Sequence, residues 1–96
     1  MANVCDNSMH ICTENNENIA HIKTFLTKNF PGAVIEDQGS YLEAYFDSKW
    51  TFPEKEMDEL YKTMPDKDDI SIVCLSTEWG NYYTEFNFLD KNGWHD

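Results

Sequence analysis

Between Tyr41 and Pro65 the spacing of the apolar residues changes period, and few folds accommodate that change. In the first half Leu42, Ala44 and Phe46 point one way while Tyr41, Glu43, Tyr45 and Asp47 point the other. That two-residue repeat belongs to a half-buried strand. In the second half Met57, Leu60, Tyr61 and Met64 fall at helical spacing and form one stripe. A Trp50-Thr51-Phe52-Pro53 corner joins the two, and Pro53 suits the first turn of a helix, where its missing N–H costs nothing. A strand that delivers a helix through so short a corner implies a sheet with a helix laid on one face.

The remaining chain repeats the theme. After a lead-in, Met1–Asp6, the segment Asn7–Thr13 alternates, with Met9 and Ile11 opposite Ser8, His10 and Cys12. Thr13–Glu17 is rich in capping residues and acids, so a helix starts there. Its apolar stripe is Ile19, Ile22, Phe25 and Leu26, and it runs to about Asn29. Phe30-Pro31-Gly32 ends it. A short strand, Ala33–Asp37, then makes a hairpin with Tyr41–Ser48 through Gln38-Gly39-Ser40. The second helix closes at Met64-Pro65, and Asp66–Asp69 is a charged loop. Ile70–Thr77 is apolar on both sides, which predicts a strand buried on both faces. A Gly80-Asn81 turn leads to a fifth strand, Tyr82–Leu89, and Asp90–Asp96 reads as a polar tail. The order is that of a single α+β domain over residues 1–96, the ferredoxin-like β-α-β-β-α-β sandwich with an added C-terminal hairpin strand. Right-handed crossovers place both helices on one face of an antiparallel sheet, with the first and third strands in its centre.

Charge narrows the partners. Eighteen acids face seven lysines, giving a net charge of -11, and there is no arginine. Bare nucleic acid needs a basic footprint, and arginine is its usual bidentate reader, so the composition argues against direct nucleic-acid binding. An anionic membrane surface is disfavoured on the same ground. A basic protein partner is the expectation that remains. Cys5, Cys12 and Cys74 are an odd set with no secretory signal before them, which suggests reduced thiols in a cytoplasmic protein. No apolar run approaches the ~20 residues of a membrane helix.

Three patterns could carry chemistry or nucleic-acid recognition. Cys5, His10 and Cys12 could suggest a metal site, but odd spacing keeps Cys5 off the face that His10 and Cys12 share, and no C-x-x-C is present. Cys74 could pair with His21 or His95, but nothing supplies an orienting third group or an oxyanion loop. Tyr41 and Tyr45 lie on the sheet face opposite the helices, where RNA-recognition domains stack bases, yet Glu43 and Asp47 beside them repel phosphate. The expectation is therefore no enzyme, no cofactor and no metal.

Three short stretches carry a family resemblance: Asn3, Cys5 and Asn7 at the opening, the F-D-S-K-W corner from Phe46 to Pro53, and E-W-G-N-Y-Y from Glu78 to Tyr83. In these the chain resembles the small ferredoxin-like-domain proteins of the YubB type, carried by phages, plasmids and integrated elements. Val4 stands where that family usually has an aromatic. The resemblance implies the fold and a mobile-element origin, and no reaction.

Eleven acids fall between Glu36 and Asp69: Glu36, Asp37, Glu43, Asp47, Glu54, Glu56, Asp58, Glu59, Asp66, Asp68 and Asp69. Spread over one surface with Tyr41, Tyr45 and Trp50, they could imitate nucleic-acid phosphates in the basic groove of a host defence complex, as an anti-CRISPR or anti-restriction protein does. The other expectation is a structural or adaptor module. Its fourth strand would leave Val73 and Leu75, or else Ile72 and Cys74, to be covered, and its fifth Tyr82, Phe86 and Phe88 or else Tyr83 and Leu89, for self-association through the open sheet face or added pairing at the fifth strand.

Overall fold

The computed structural model describes residues 4–96, so Asn3 and the first part of the expected lead-in lie outside the described residues. The chain runs β1 (Val4–Cys12), α1 (Asn16–Asn29), β2 (Val34–Asp37), β3 (Leu42–Lys49), α2 (Glu54–Lys62), β4 (Ser71–Glu78), β5 (Tyr83–Asp90) and β6 (Gly93–His95). A 3-10 turn at Trp79–Asn81 joins β4 to β5. The sheet order is β2-β3-β1-β4-β5-β6, and every neighbouring pair is antiparallel. This is the ferredoxin-like arrangement extended by β5 and β6.

The core follows from the two periods. Met9, Ile11, Leu42, Ala44, Phe46, Ile72, Cys74 and Leu89 face the helices from the sheet. Ile22 and Leu26 of α1 meet them, with Met57 and Leu60 of α2 and Met64 just beyond it. Phe30, at the end of α1, packs its ring 4.4 Å from that of Phe46. Such burial, at about 25 cal/mol per Å² of apolar surface, is the main favourable contribution to folding.

Helix ends are handled by specific side chains. Asn15 caps α1 by accepting from the N–H groups of Glu17 (2.8 Å) and Asn18 (3.3 Å). Asn18 is fully buried and ties that first turn to the loop after α2. Its amide nitrogen donates to the carbonyls of Asp66 (2.9 Å) and Asp69 (3.0 Å), and its oxygen accepts from the Asp66 N–H (2.9 Å). A second buried asparagine, Asn7, clamps three strands together. It donates to Ser48 Oγ (2.9 Å) on β3 and accepts from Ser76 Oγ (2.7 Å) on β4. Every buried polar side-chain atom among the described residues has a partner.

Four expectations need adjustment. β4 is buried on one face only: Ile72 and Cys74 turn inward, while Val73 and Leu75 are exposed. β5 is covered on its outer edge only in part: β6 pairs with Phe88–Asp90, while Tyr83–Asn87 have no partner strand on that side. The C-terminal segment is not merely a polar tail. Gly93, in the left-handed region at φ 109, turns the chain back, and Trp94 anchors it against α2. β1 also begins earlier than expected, at Val4 rather than Asn7.

Candidate docking face on the open side of the sheet

Helices cover one face of the sheet, and the register fixes what the other displays. One cross-strand row reads Glu36, Glu43, His10, Val73, Phe88, His95. The next reads Val34, Tyr45, Ser8, Leu75, Phe86, and a third Asp47, Asp6, Thr77, Thr84. Read down the strands, the face has two halves. Over β2, β3 and β1 it carries Glu36, Glu43, Asp6 and Asp47 with Tyr45. Over β4 and β5 it carries Val73, Leu75, Phe86 and Phe88, exposed by 37%, 45%, 52% and 38%. So much apolar side chain left in water on neighbouring strands makes this a candidate interaction site.

Ring contacts hold the surface in shape. Phe88 stacks on His95 at 5.0 Å and lies 6.5 Å from Phe86, and His95 Nε2 is 3.0 Å from Asp90 Oδ1. Tyr41 stacks on His10 at 4.4 Å. The Tyr45 hydroxyl donates to Glu43, which pushes its phenol up. Asp47 stands opposite Asp6, and partial burial together with the hydrogen bond and charge of Asp6 raises its carboxyl. The pair is a like-charge contact.

The eleven acids do not form one surface. Glu36, Glu43 and Asp47 are on the open face, joined by Asp6, which the sequence reading passed over because it fell in the expected lead-in. Asp37 turns to the helical side, where its carboxylate lies 3.6 Å from Lys23 Nζ. Glu54, Glu56, Asp58 and Glu59 belong to α2, in the layer on the far side of the sheet. Glu54 and Asp58 line a hollow of about 210 Å³ there, with Phe52, Glu85, Asn87 and Trp94. Asp66 and Asp69 brace α1: Asp69 Oδ2 accepts from the Glu14 N–H (3.1 Å), and Asp66 Oδ2 from the Asn15 amide (3.2 Å). Asp68 is exposed in the same loop. The eleven therefore do not share one face of the sheet.

The aromatics divide as well. Tyr41 and Tyr45 are on the open side as expected. Trp50 sits past the end of β3 in the left-handed region, at φ 69, and is exposed. Two residues of the E-W-G-N-Y-Y stretch stand at the same end of the sheet: Trp79, 71% exposed, and Tyr82, 91% exposed with φ 55. Their turn is held by Glu78, buried at the end of β4, whose Oε1 accepts from the Gly80 N–H at 2.8 Å. Bulky residues at positive φ store backbone strain, which persists only where the surroundings fix it.

The chemistry-bearing candidates are not brought together. Cys5 is buried on the helical side of β1, whereas His10 and Cys12 face outward. Among the described residues no three His, Cys, Asp or Glu side chains are placed to hold a metal. Cys74 faces inward, His95 lies on the open face, and His21 is bonded to Thr63 Oγ1 at 2.9 Å. Burial pushes the Cys74 thiol up to about 12, the opposite of what a nucleophile needs. Among the described residues no helix is long and apolar enough to cross a membrane. No family model, curated protein or solved structure was found to match the chain.

Proposed function

We propose that the protein is a non-enzymatic docking protein that covers a basic surface of a protein partner with the open face of its sheet, keeping nucleic acid off that surface. The division of this one face into an acidic half and an apolar half carries the reading. Carboxylates on β1, β2 and β3 steer and orient a basic partner, and the β4–β5 strip supplies apolar contact. The net charge of -11 and the lack of arginine favour a partner whose basic groove otherwise takes phosphates. The YubB-type resemblance adds a mobile-element setting, in which a defence complex of the CRISPR or restriction type is such a partner.

The test compares capture from a cell lysate by the native protein, by Leu75→Asp/Phe86→Asp on the open face, and by Asp58→Lys/Glu59→Lys on α2. The native protein is expected to retain a nucleic-acid-binding protein that added DNA or RNA displaces. High salt should displace it too, since exposed charges are screened beyond about 10 Å at 0.1 M. The open-face variant should lose about tenfold in retention and the α2 variant little. Loss confined to the α2 variant would sink the assignment.

A further inference from the structure

The geometry points to a second docking element, the free edge of β5, which takes a lysine-bearing extended segment of a partner protein as an added strand. This goes beyond the open-face reading above and stands or falls apart from it. β6 pairs only with Phe88–Asp90, so Tyr83–Asn87 have no partner strand on their outer side. The β5–β6 hairpin closes on Asp90 and Gly93. A closing pair around a two-residue loop exchanges its backbone hydrogen bonds, and the pattern returns at every second residue. Phe88 and Asp90 therefore turn their N–H and C=O groups to β6. Thr84 and Phe86, in phase with them, turn theirs to the open edge. An unpaired row of this kind takes another extended chain, whereas a helix has already spent its backbone groups internally.

The surroundings of the edge select the side chains of that strand. Thr84 and Phe86 point to the open face, and Glu85 and Asn87, level with Ser76 and the inward Cys74, point to the helical side. On that side lies the hollow of about 210 Å³, bordered by Glu54, Asp58, Glu85 and Asp96 with Phe52 and Trp94. Glu85 is held in place by the Tyr83 hydroxyl and by the Asn87 amide at 2.6 Å. Side chains of an added strand alternate between the two faces. Apolar ones lie beside Phe86. Lysine or arginine stems run over Phe52 and Trp94 and bring their cations to the carboxylates.

A second copy of this chain fits less well. The register that uses the Thr84 and Phe86 groups of both chains sets Glu85 opposite its own copy, and brings in another net charge of -11. The carboxylate that guards the edge against self-pairing is the one that admits a cationic strand.

The experiment titrates the intact protein with three synthetic peptides of about seven residues, enough to span Tyr83–Asn87. One alternates valine with lysine, and one alternates valine with glutamate. The third is the lysine peptide with its valine amides N-methylated, which removes the donors that face β5. Amide exchange followed by NMR reads the edge directly. The lysine peptide should bind about tenfold more tightly than either of the others and slow exchange at Thr84 and Phe86 about tenfold. Glu85→Lys should lose that binding while the remaining spectrum stays native; if the variant does not fold, the three peptides decide the matter on the native protein. Equal binding of the N-methylated peptide would overturn strand pairing, and equal binding of the glutamate peptide would overturn the choice of a cationic strand. No slowing at Thr84 and Phe86 with any peptide, or slowing that grows with protein concentration alone, would overturn the edge as a partner site. Peptide-induced shifts at Val73 and Leu75 in that case would leave the open-face reading standing.

Discussion

Cys74 shows how much one buried group sets the protein's response to pH. Its thiol is fully buried on β4, and burial raises it from 9.0 to about 12 despite a contact to Ser76 Oγ at 3.8 Å. Burial raises Cys5 as well. The folded state therefore holds these protons more tightly than the unfolded chain does, and stability must fall as pH rises. The thiol contribution is whole below pH 9 and is lost as pH climbs toward 12. Tyr83, raised from 10.0 to about 12, adds its own slope only at higher pH. Urea unfolding at steps from pH 8.5 to 10 should show stability dropping, and Cys74→Ala should flatten the drop even though its cavity lowers the whole curve. An unchanged slope in that variant would mean that Cys74 ionises alike in both states. The burial of Cys74 was legible from its place in an apolar strand. The roles of Asn7 and Asn18 were not, because a hydropathy pattern reads each as polar and therefore exposed. Their partners sit on β3, β4 and the loop after α2, from 39 to 69 residues away.

At the level of elements, the least expected part is β6. Three residues make a weak strand, so side chains must hold it. Trp94 Nε1 donates to the Met57 carbonyl of α2 at 2.8 Å, and its ring meets Phe52 edge-on at 5.2 Å. The Tyr61 hydroxyl donates to the Lys91 carbonyl at 2.9 Å. Together these link the C-terminal hairpin to α2 and the corner before it. Trp94→Ala should cost about 2–3 kcal/mol, at or below the low end for a fully buried Trp because this one is only partly buried. Trp94→Phe should cost about 1 kcal/mol, the value of the lost hydrogen bond. Equal losses in the two variants, measured by chemical denaturation, would show that the ring contributes nothing. The four strands and two helices of the ferredoxin-like frame were readable because each spans enough residues to display its period. Gly93-Trp94-His95 is too short to show one, and its anchor on Met57 lies 37 residues back. The acids were misread for another reason. Alternation correctly grouped Glu43 with Asp47, and the crossover rule already put α2 on the opposite face, but the eleven were gathered by closeness in sequence, which does not make one surface.

For the whole molecule, charge sets the terms on which it folds and associates. Among the described residues Lys23–Asp37 is the one lysine–carboxylate ion pair, so most of the eighteen acids face water without a cation. Across β1 and β3, Asp6 and Asp47 oppose each other directly, an arrangement that lowers sheet stability by about 0.2–1 kcal/mol. The sign for Asp47 follows from its raised carboxyl: its contribution is full below pH 3.8 and is lost as the group ionises. Asp47→Asn should therefore stabilise the protein near neutral pH by about 0.5 kcal/mol at low salt, and by less at high salt. Thermal or urea unfolding at two ionic strengths checks both parts. A further consequence concerns ionic strength as a variable the cell itself can change. Screening relaxes the Asp6–Asp47 repulsion and firms the free fold, yet the same screening loosens any cationic element seated on those carboxylates. On the proposed docking reading, fold stability and partner affinity have salt slopes of opposite sign, written into one pair of side chains.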